Sequence, residues 1–248
     1  ELALELAARG RGTPHPNPRV GAVVVAGGEI VGRGYHRAPG SPHAEVEALN
    51  EAGERARGAT LYCTLEPCAH FGRTPPCTQA ILQAGVARVV AALQDPNPLV
   101  NGQGLRELRA GGVEVDLLEG EPARRAEQLN APFLKHQRTG LPFVTFKAAV
   151  SLDGKVAGAG GARRQISSEP SRALVHRMRS LADAVLIGAG TLRRDDPLLT
   201  VRACPGRDPL RVVLTRGGRL PPAARLFATA AEAPTLVLAA ELSAARER

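Results

Sequence analysis

The chain has 248 residues, 44% of them hydrophobic, yet no apolar run approaches the roughly 18 residues that a membrane-spanning helix requires. Four cysteines in a chain of this length are too few for a secreted disulfide scaffold, and Glu1 to Gly12 carry no long apolar stretch before a cleavage site, so an unexported, cytoplasmic protein is expected. The net charge of +8 comes almost wholly from arginine, but the arginines are scattered among acids, and five Phe, two Tyr and no Trp supply little stacking surface for nucleic acid.

A phosphorylated small substrate would use the same positive charge, so no nucleic acid and no membrane is expected as a partner. The length suits two globular units. Val- and Ile-rich runs at Val20–Ala26, Glu29–Tyr35, Thr60–Leu65, Ala87–Leu93 and Val113–Leu117 predict strands, with helical stretches between the later ones, in the order ββαβαβαβ. Strands alternating with helices require a sheet covered on both faces, so the first unit is expected to be a three-layer α/β/α domain over residues 1–138. A polar stretch at Lys135 to Pro142, with Gly140 and Pro142, predicts the boundary. The second unit, 139–248, opens with a predicted strand at Phe143–Ala149. A helix near Ser171–Leu181 follows, then strands at Ala184–Ile187, Leu210–Thr215 and Thr235–Ala239. Few residues follow the last strand, so this unit is expected to be cut short at its C-terminal end.

Ser41-Pro42-His43-Ala44-Glu45 has the form of a helix start, with Ser41 as the cap and Pro42 at the first helical position. Side chains lean toward a helix N-terminus, so His43 and Glu45 can both reach a site just off its end. Cys68 follows Pro67 after the next predicted strand. After eight intervening residues Cys77 follows Pro76 at the start of another predicted helix, whose N-terminal partial charge favours the thiolate that binds zinc. One histidine and two cysteines make three ligands, which leaves a tetrahedral zinc one position for water and marks a catalytic rather than a structural site. A His-x-Glu triplet followed by Pro-Cys is the zinc-deaminase pattern, in which Glu45 would be the catalytic proton carrier. Base deaminases of nucleosides and nucleic acids usually have two residues between the cysteines; this chain has eight. A base deaminase and a zinc-stabilised interaction module remain alternatives at this point. Cys63 and Cys204 are read as packing thiols.

The segments Pro16-Asn17-Pro18-Arg19-Val20-Gly21, His43-Ala44-Glu45, Thr64-Leu65-Glu66-Pro67-Cys68 and Gly72-Arg73-Thr74-Pro75-Pro76-Cys77 together resemble the bifunctional riboflavin-biosynthesis family, a pyrimidine deaminase fused to a reductase. Asp95-Pro96-Asn97-Pro98 and Ser151-Leu152-Asp153-Gly154 extend the likeness over nearly the whole chain. The resemblance implies a cytidine-deaminase-like domain followed by a dihydrofolate-reductase-like α/β domain, with Zn2+ and NADPH as cofactors. It also implies a diamino-ribosylaminopyrimidinone phosphate as substrate, deaminated and then reduced at its ribosyl side chain, and a homo-oligomer. On the same resemblance Asn17, His36, His70, Arg73, Asp95 and Asn97 contact the pyrimidine, sugar or phosphate; Asp95-Pro96-Asn97-Pro98 reads equally well as a turn.

In the second domain the resemblance places Ala149, Gln165, Thr191 and Asp195 at NADPH, and Arg163, Arg179, Leu199 and Arg202 at the substrate. Two arginines suit a phosphorylated sugar. Gly188-Ala189-Gly190 lacks a third glycine and is no dinucleotide fingerprint. Gln165 stands where the family commonly has Trp, and Arg163 where it commonly has Ser. The family's later glycine-rich segment would lie beyond Arg248, so deamination alone is kept as an alternative activity.

Overall fold

The computed structural model describes residues 1–10, 16–98, 100–158 and 166–241. The chain divides into two compact units, Glu1–Thr145 and Phe146–Arg248. No helix among the described residues is long and apolar enough to cross a membrane.

In the first unit α1 (Leu2–Arg9) precedes β1 (Gly21–Ala26) and β2 (Glu29–Tyr35), which form an antiparallel hairpin. Then come α2 (Ala44–Ala52), a short 3-10 turn, β3 (Thr60–Cys63), α3 (Cys77–Ala84), β4 (Arg88–Ala91), α4 (Gln103–Ala110) and β5 (Glu114–Leu117). Two helices, α5 (Glu121–Leu129) and α6 (Ala131–Thr139), close the unit. The sheet order is β2-β1-β3-β4-β5; β3 runs antiparallel to β1, and β3, β4 and β5 are mutually parallel. The two-residue side-chain period decides the layers. Ala22 and Val24 of β1 join Leu61, Val89 and Ala91 in the main core with Ala44, Ala48, Ile81, Leu105 and Leu108, so α2, α3 and α4 cover one face. Val23 points the other way, onto Ala3 and Leu6 of α1.

Glycines set how closely the helices approach. A Cβ on Gly34 would lie 2.1 Å from the Ala44 carbonyl oxygen, and one on Gly32 would lie 2.0 Å from that of Ala48. The start of α2 therefore rests directly on the backbone of β2, and any side chain there would push it away.

The five strands predicted in the first unit are present, each trimmed at one or both ends except that at Glu29–Tyr35. The helix start differs from expectation. Ser41 does not cap α2: its hydroxyl donates to the Ala38 carbonyl (2.6 Å) and accepts the Ala38 N–H (3.1 Å), closing a turn, and His43 is the N-cap residue with extended backbone. The expected linker at Lys135 to Pro142 is for most of its length the last turns of α6, because polar residues on the solvent side of a short helix look like a loop when read one by one.

The second unit has α7 (Glu169–Leu181), β6 (Ala184–Gly188), α8 (Ala189–Asp195), β7 (Leu210–Thr215), α9 (Arg225–Ala228) and β8 (Thr235–Ala239). Its three strands are parallel, in the order β6-β7-β8. Ser168 caps α7, accepting the Ser171 N–H, one turn before the expected start. Leu192, Leu199, Val213, Ala224 and Leu226 form its small core. Arg211 is wholly buried on β7, and its guanidinium donates to the carbonyls of Leu198 (3.2 Å), Thr229 (3.0 Å) and Ala233 (2.6 Å). The predicted strand at Phe143–Ala149 does not form. Those residues are irregular, with Phe146 91% exposed, and among the described residues no strand pairs with them; an extended segment without a neighbour has no partner for its backbone groups.

Candidate functional site

The chain that follows β2 and the chain that follows β3 bring the predicted metal ligands together. His43, at the cap of α2, places Nδ1 3.2 Å from the Cys77 Sγ and 3.5 Å from the Cys68 Sγ. Cys77 is the first residue of α3, as expected, and its backbone N–H donates to the Cys68 sulfur at 3.4 Å. One ligand atom from each residue lies within 4.8 Å of the other two. The donor set fits zinc: two sulfurs and one imidazole nitrogen suit this borderline-soft ion, and no fourth protein ligand joins the cluster among the described residues.

Electrostatics favour the same occupant. The Cys77 thiol donating to Cys68, aided by His43, holds Cys68 as a thiolate, down to about 4. Cys77 is correspondingly pushed up, by Cys68 and by burial, and a bound dication would displace its proton. The hydrogen bond that His43 donates to the Cys68 thiolate raises the pKa of His43. Thr74 Oγ1 lies 3.3 Å from its Nε2, a contact with the other ring nitrogen that sequence reading did not single out.

Glu45, in the first turn of α2, is buried and reaches to 3.6 Å from the Cys77 Sγ. Burial pushes its carboxyl up to about 7, with His43 opposing. A carboxyl poised near neutrality beside three convergent ligand atoms has the protonation range of a general acid and base.

Four of the six residues expected at the substrate lie around this cluster in linked pairs. Asn17 Nδ2 donates to His36 Nε2 (3.0 Å), whose Nδ1 faces the Pro42 carbonyl (3.2 Å). The His36 ring meets that of His43 edge-on at 5.1 Å between centroids, and burial lowers its pKa. Asp95 is buried, accepts the Asn97 N–H at 2.8 Å and is pushed up to about 6, chiefly by burial. His70 is half-buried, with Nδ1 enclosed and free of hydrogen-bond partners among the described residues, and its charge acts on Asp95. Arg73 is exposed between the two cysteines. A residue the motif reading quoted without a role is Glu66. Its carboxylate, buried two residues before Cys68, accepts four backbone N–H groups, and the available signal was a charged residue inside an apolar run at a strand end.

In the second unit Arg179 and Arg202 converge on Thr200: Arg179 Nη1 donates to its carbonyl (2.7 Å) and Arg202 Nη1 to its hydroxyl (2.7 Å). Burial and the charge of Arg202 lower Arg179. His176, which sequence reading missed, accepts the Arg202 N–H on Nδ1 at 3.1 Å. Leu199 is buried beside them with φ at +57°, while Thr191 and Asp195 lie along α8. Ala149 sits in the irregular segment after Phe143. Arg163 and Gln165 lie outside the described residues.

Residues 1–93 match the family model of the cytidine and deoxycytidylate deaminase zinc-binding region, and residues 142–248 match the RibD C-terminal domain. Among curated proteins, riboflavin biosynthesis protein RibD of Aquifex aeolicus is 50% identical over 239 residues, covering 96% of this chain and 66% of that protein. The solved structure of Acinetobacter baumannii RibD is 44% identical with a TM-score of 0.87, over 96% of this chain and 67% of that one. A Thermotoga maritima diaminohydroxyphosphoribosylaminopyrimidine deaminase/5-amino-6-(5-phosphoribosylamino)uracil reductase is 40% identical with a TM-score of 0.86, over 97% and 68%. The chain thus spans about two thirds of the length of the relatives it matches. These likenesses bear out the expected fold class, a cytidine-deaminase-like α/β/α domain followed by a dihydrofolate-reductase-like α/β domain of RibD C-terminal type. With its zinc-type ligand cluster and its match across both domains, the chain belongs to the RibD family of riboflavin biosynthesis proteins.

Proposed function

We propose that this chain deaminates a diamino-ribosylaminopyrimidinone phosphate by zinc-dependent hydrolysis and then reduces the ribosyl side chain of the product with NADPH. The convergence of His43, Cys68 and Cys77 next to the buried Glu45 is the observation that carries the first half. When bound there, zinc supplies the Lewis acidity that makes water a nucleophile near neutral pH. Glu45 accepts the proton of the attacking water and returns it to the ring nitrogen, then carries the proton of the added hydroxyl to the amine, so that a carbonyl remains as ammonia leaves. Thus one C–O bond forms, one C–N bond breaks, and the carboxyl ends in its starting state. Asn17 and His36, tied to each other, face the pyrimidine. Asp95 and Asn97 hold sugar hydroxyls, His70 lies alongside, and Arg73 meets the phosphate.

The reductase half rests on the family and on the Arg179 and Arg202 pair as the phosphate-binding charges, with Leu199 beside them and Arg163 completing the substrate side. Ala149, Gln165, Thr191 and Asp195 form the NADPH side. The domain boundary belongs to this reading, with the deaminase over 1–138 and the reductase over 139–248. Two thiol ligands that must stay reduced suit a cytoplasmic enzyme. A small molecule rather than nucleic acid as partner, and a homo-oligomeric state, follow from kinship. Deamination alone is the second reading, favoured by the irregular, exposed chain around Ala149. Mass spectrometry of the products from zinc-loaded protein, substrate and NADPH separates the two: a deaminated and reduced product supports both sites, a product deaminated only supports the second reading, and unchanged substrate refutes both.

A further inference from the structure

Glu66 lies three residues past the end of β3, in the chain that leads to Cys68, and is 3% exposed. A carboxylate buried this deeply needs its lone pairs filled, and here they are filled by backbone alone. Oε2 accepts the N–H groups of Asp95 (3.1 Å) and Gly102 (2.9 Å); Oε1 accepts those of Gly104 (2.9 Å) and Leu105 (3.4 Å). No lysine, arginine or histidine bonds to it among the described residues. The four donors come from two places, the turn that presents Asp95 and Asn97 and the first turn of α4. Helix-terminal amides have no partners within their own helix, so the carboxylate serves as a cap supplied from a distant strand.

The packing is equally tight. A Cβ on Gly104 would lie 1.9 Å from the carbonyl oxygen of Pro67, the residue between Glu66 and Cys68. Gln94 and Asn101 add a side-chain bond of 3.0 Å between the two places. The chain carrying a metal ligand and the chain carrying the sugar-facing residues are therefore joined through one side chain.

We propose that Glu66 is a positioning residue that fixes Asp95 and Asn97 in register with the cluster of His43, Cys68 and Cys77, and so sets substrate affinity. This rests on the deaminase reading for what Asp95 and Asn97 touch. Glutamine is the discriminating substitution because it has the same shape but only one acceptor oxygen; its NH2 must face either the Asp95 and Gly102 amides or the Gly104 and Leu105 amides, donor against donor.

The test is Glu66→Gln in the full chain, read by zinc content, by kcat and KM for the pyrimidine phosphate, and by hydrogen exchange at the four amides. We expect zinc retained, KM raised by about tenfold or more with kcat little changed, as loss of bonds to a charged group implies, and faster exchange at two of the four amides while β3 and β4 stay protected. Wild-type KM with zinc bound, or unchanged exchange, overturns the proposal. So does a fall in kcat alone. If the glutamine variant does not fold, Glu66→Asp keeps the charge but draws the carboxylate back, and it must show the same rise in KM; wild-type KM there also overturns the proposal. Exchange is read without substrate. Wild-type protein that deaminates nothing refutes the functional reading, whereas faster exchange in the variant still upholds the tether.

Discussion

Oε2 of Glu45 lies 3.6 Å from the sulfur of Cys77, although 31 residues separate the two in sequence and they start different helices. The proposed proton carrier and a candidate metal ligand thus share one buried space, which allows their roles to be separated by substitution.

Glu45→Gln keeps the size of the side chain and removes its capacity to accept a proton. Ammonia release should fall by about 10²-fold to 10⁴-fold, the usual share of general acid–base catalysis, while zinc stays at one per chain by elemental analysis. Loss of zinc together with activity would make Glu45 a support for the metal instead.

His43→Ala and Cys68→Ala each leave two ligands. Both should lose zinc on dialysis, and with it deaminase activity, whereas NADPH binding, read by fluorescence, should not change because Thr191 and Asp195, proposed for the NADPH side, lie in the other unit. Chelation of the wild type should reproduce this, and added zinc should reverse it.

Asp95 titrates near 6 in the fold against an ordinary 3.8, chiefly because burial disfavours its charged form. The folded state therefore binds this proton more tightly than the unfolded chain. Its stabilising effect is complete below about 3.8 and is lost as pH rises through about 6. Asp95→Asn removes the dependence, so the variant should gain stability relative to wild type between pH 4 and 6 and hold a constant difference above, measured by urea unfolding. KM of the wild type should rise as pH falls below about 6, where the carboxylate proposed to accept a sugar hydroxyl is lost.

Gly34→Ala places a Cβ against the Ala44 carbonyl at 2.1 Å, and backbone on backbone cannot rotate out of the way. Overpacking of this kind costs about 1–3 kcal/mol, and here it also moves the residue between His43 and Glu45. Thermal melting should fall and zinc affinity should weaken together; a stable variant with weaker zinc binding would show that the helix start shifts without loss of packing.

Much of the site could be read from the order of residues because its chemistry sits in short local motifs: His-Ala-Glu at a helix start, and a cysteine after each of two prolines. Strands in the first unit could be read for the same reason, since a two-residue period is a local signal. Contacts between distant segments carry no such signal. The four amides gathered by Glu66 come from residues 29 to 39 positions downstream, and nothing near Glu66 in sequence names them. Ser41 shows the opposite failure: a good local cap signal lost to a competing turn with Ala38, which left the cap position to His43.

The sequence by itself determined the ligand types, their spacing, the zinc-deaminase motif and the α/β order, all properties of residue identity and short period. Tertiary structure decided which groups meet. It set His43 within reach of both sulfurs, buried Glu45 far enough to raise its pKa to about 7, turned Arg179 and Arg202 onto Thr200, and left Phe143–Ala149 unpaired. Burial and pairing are properties of neighbours, and a residue acquires its neighbours only when the chain folds.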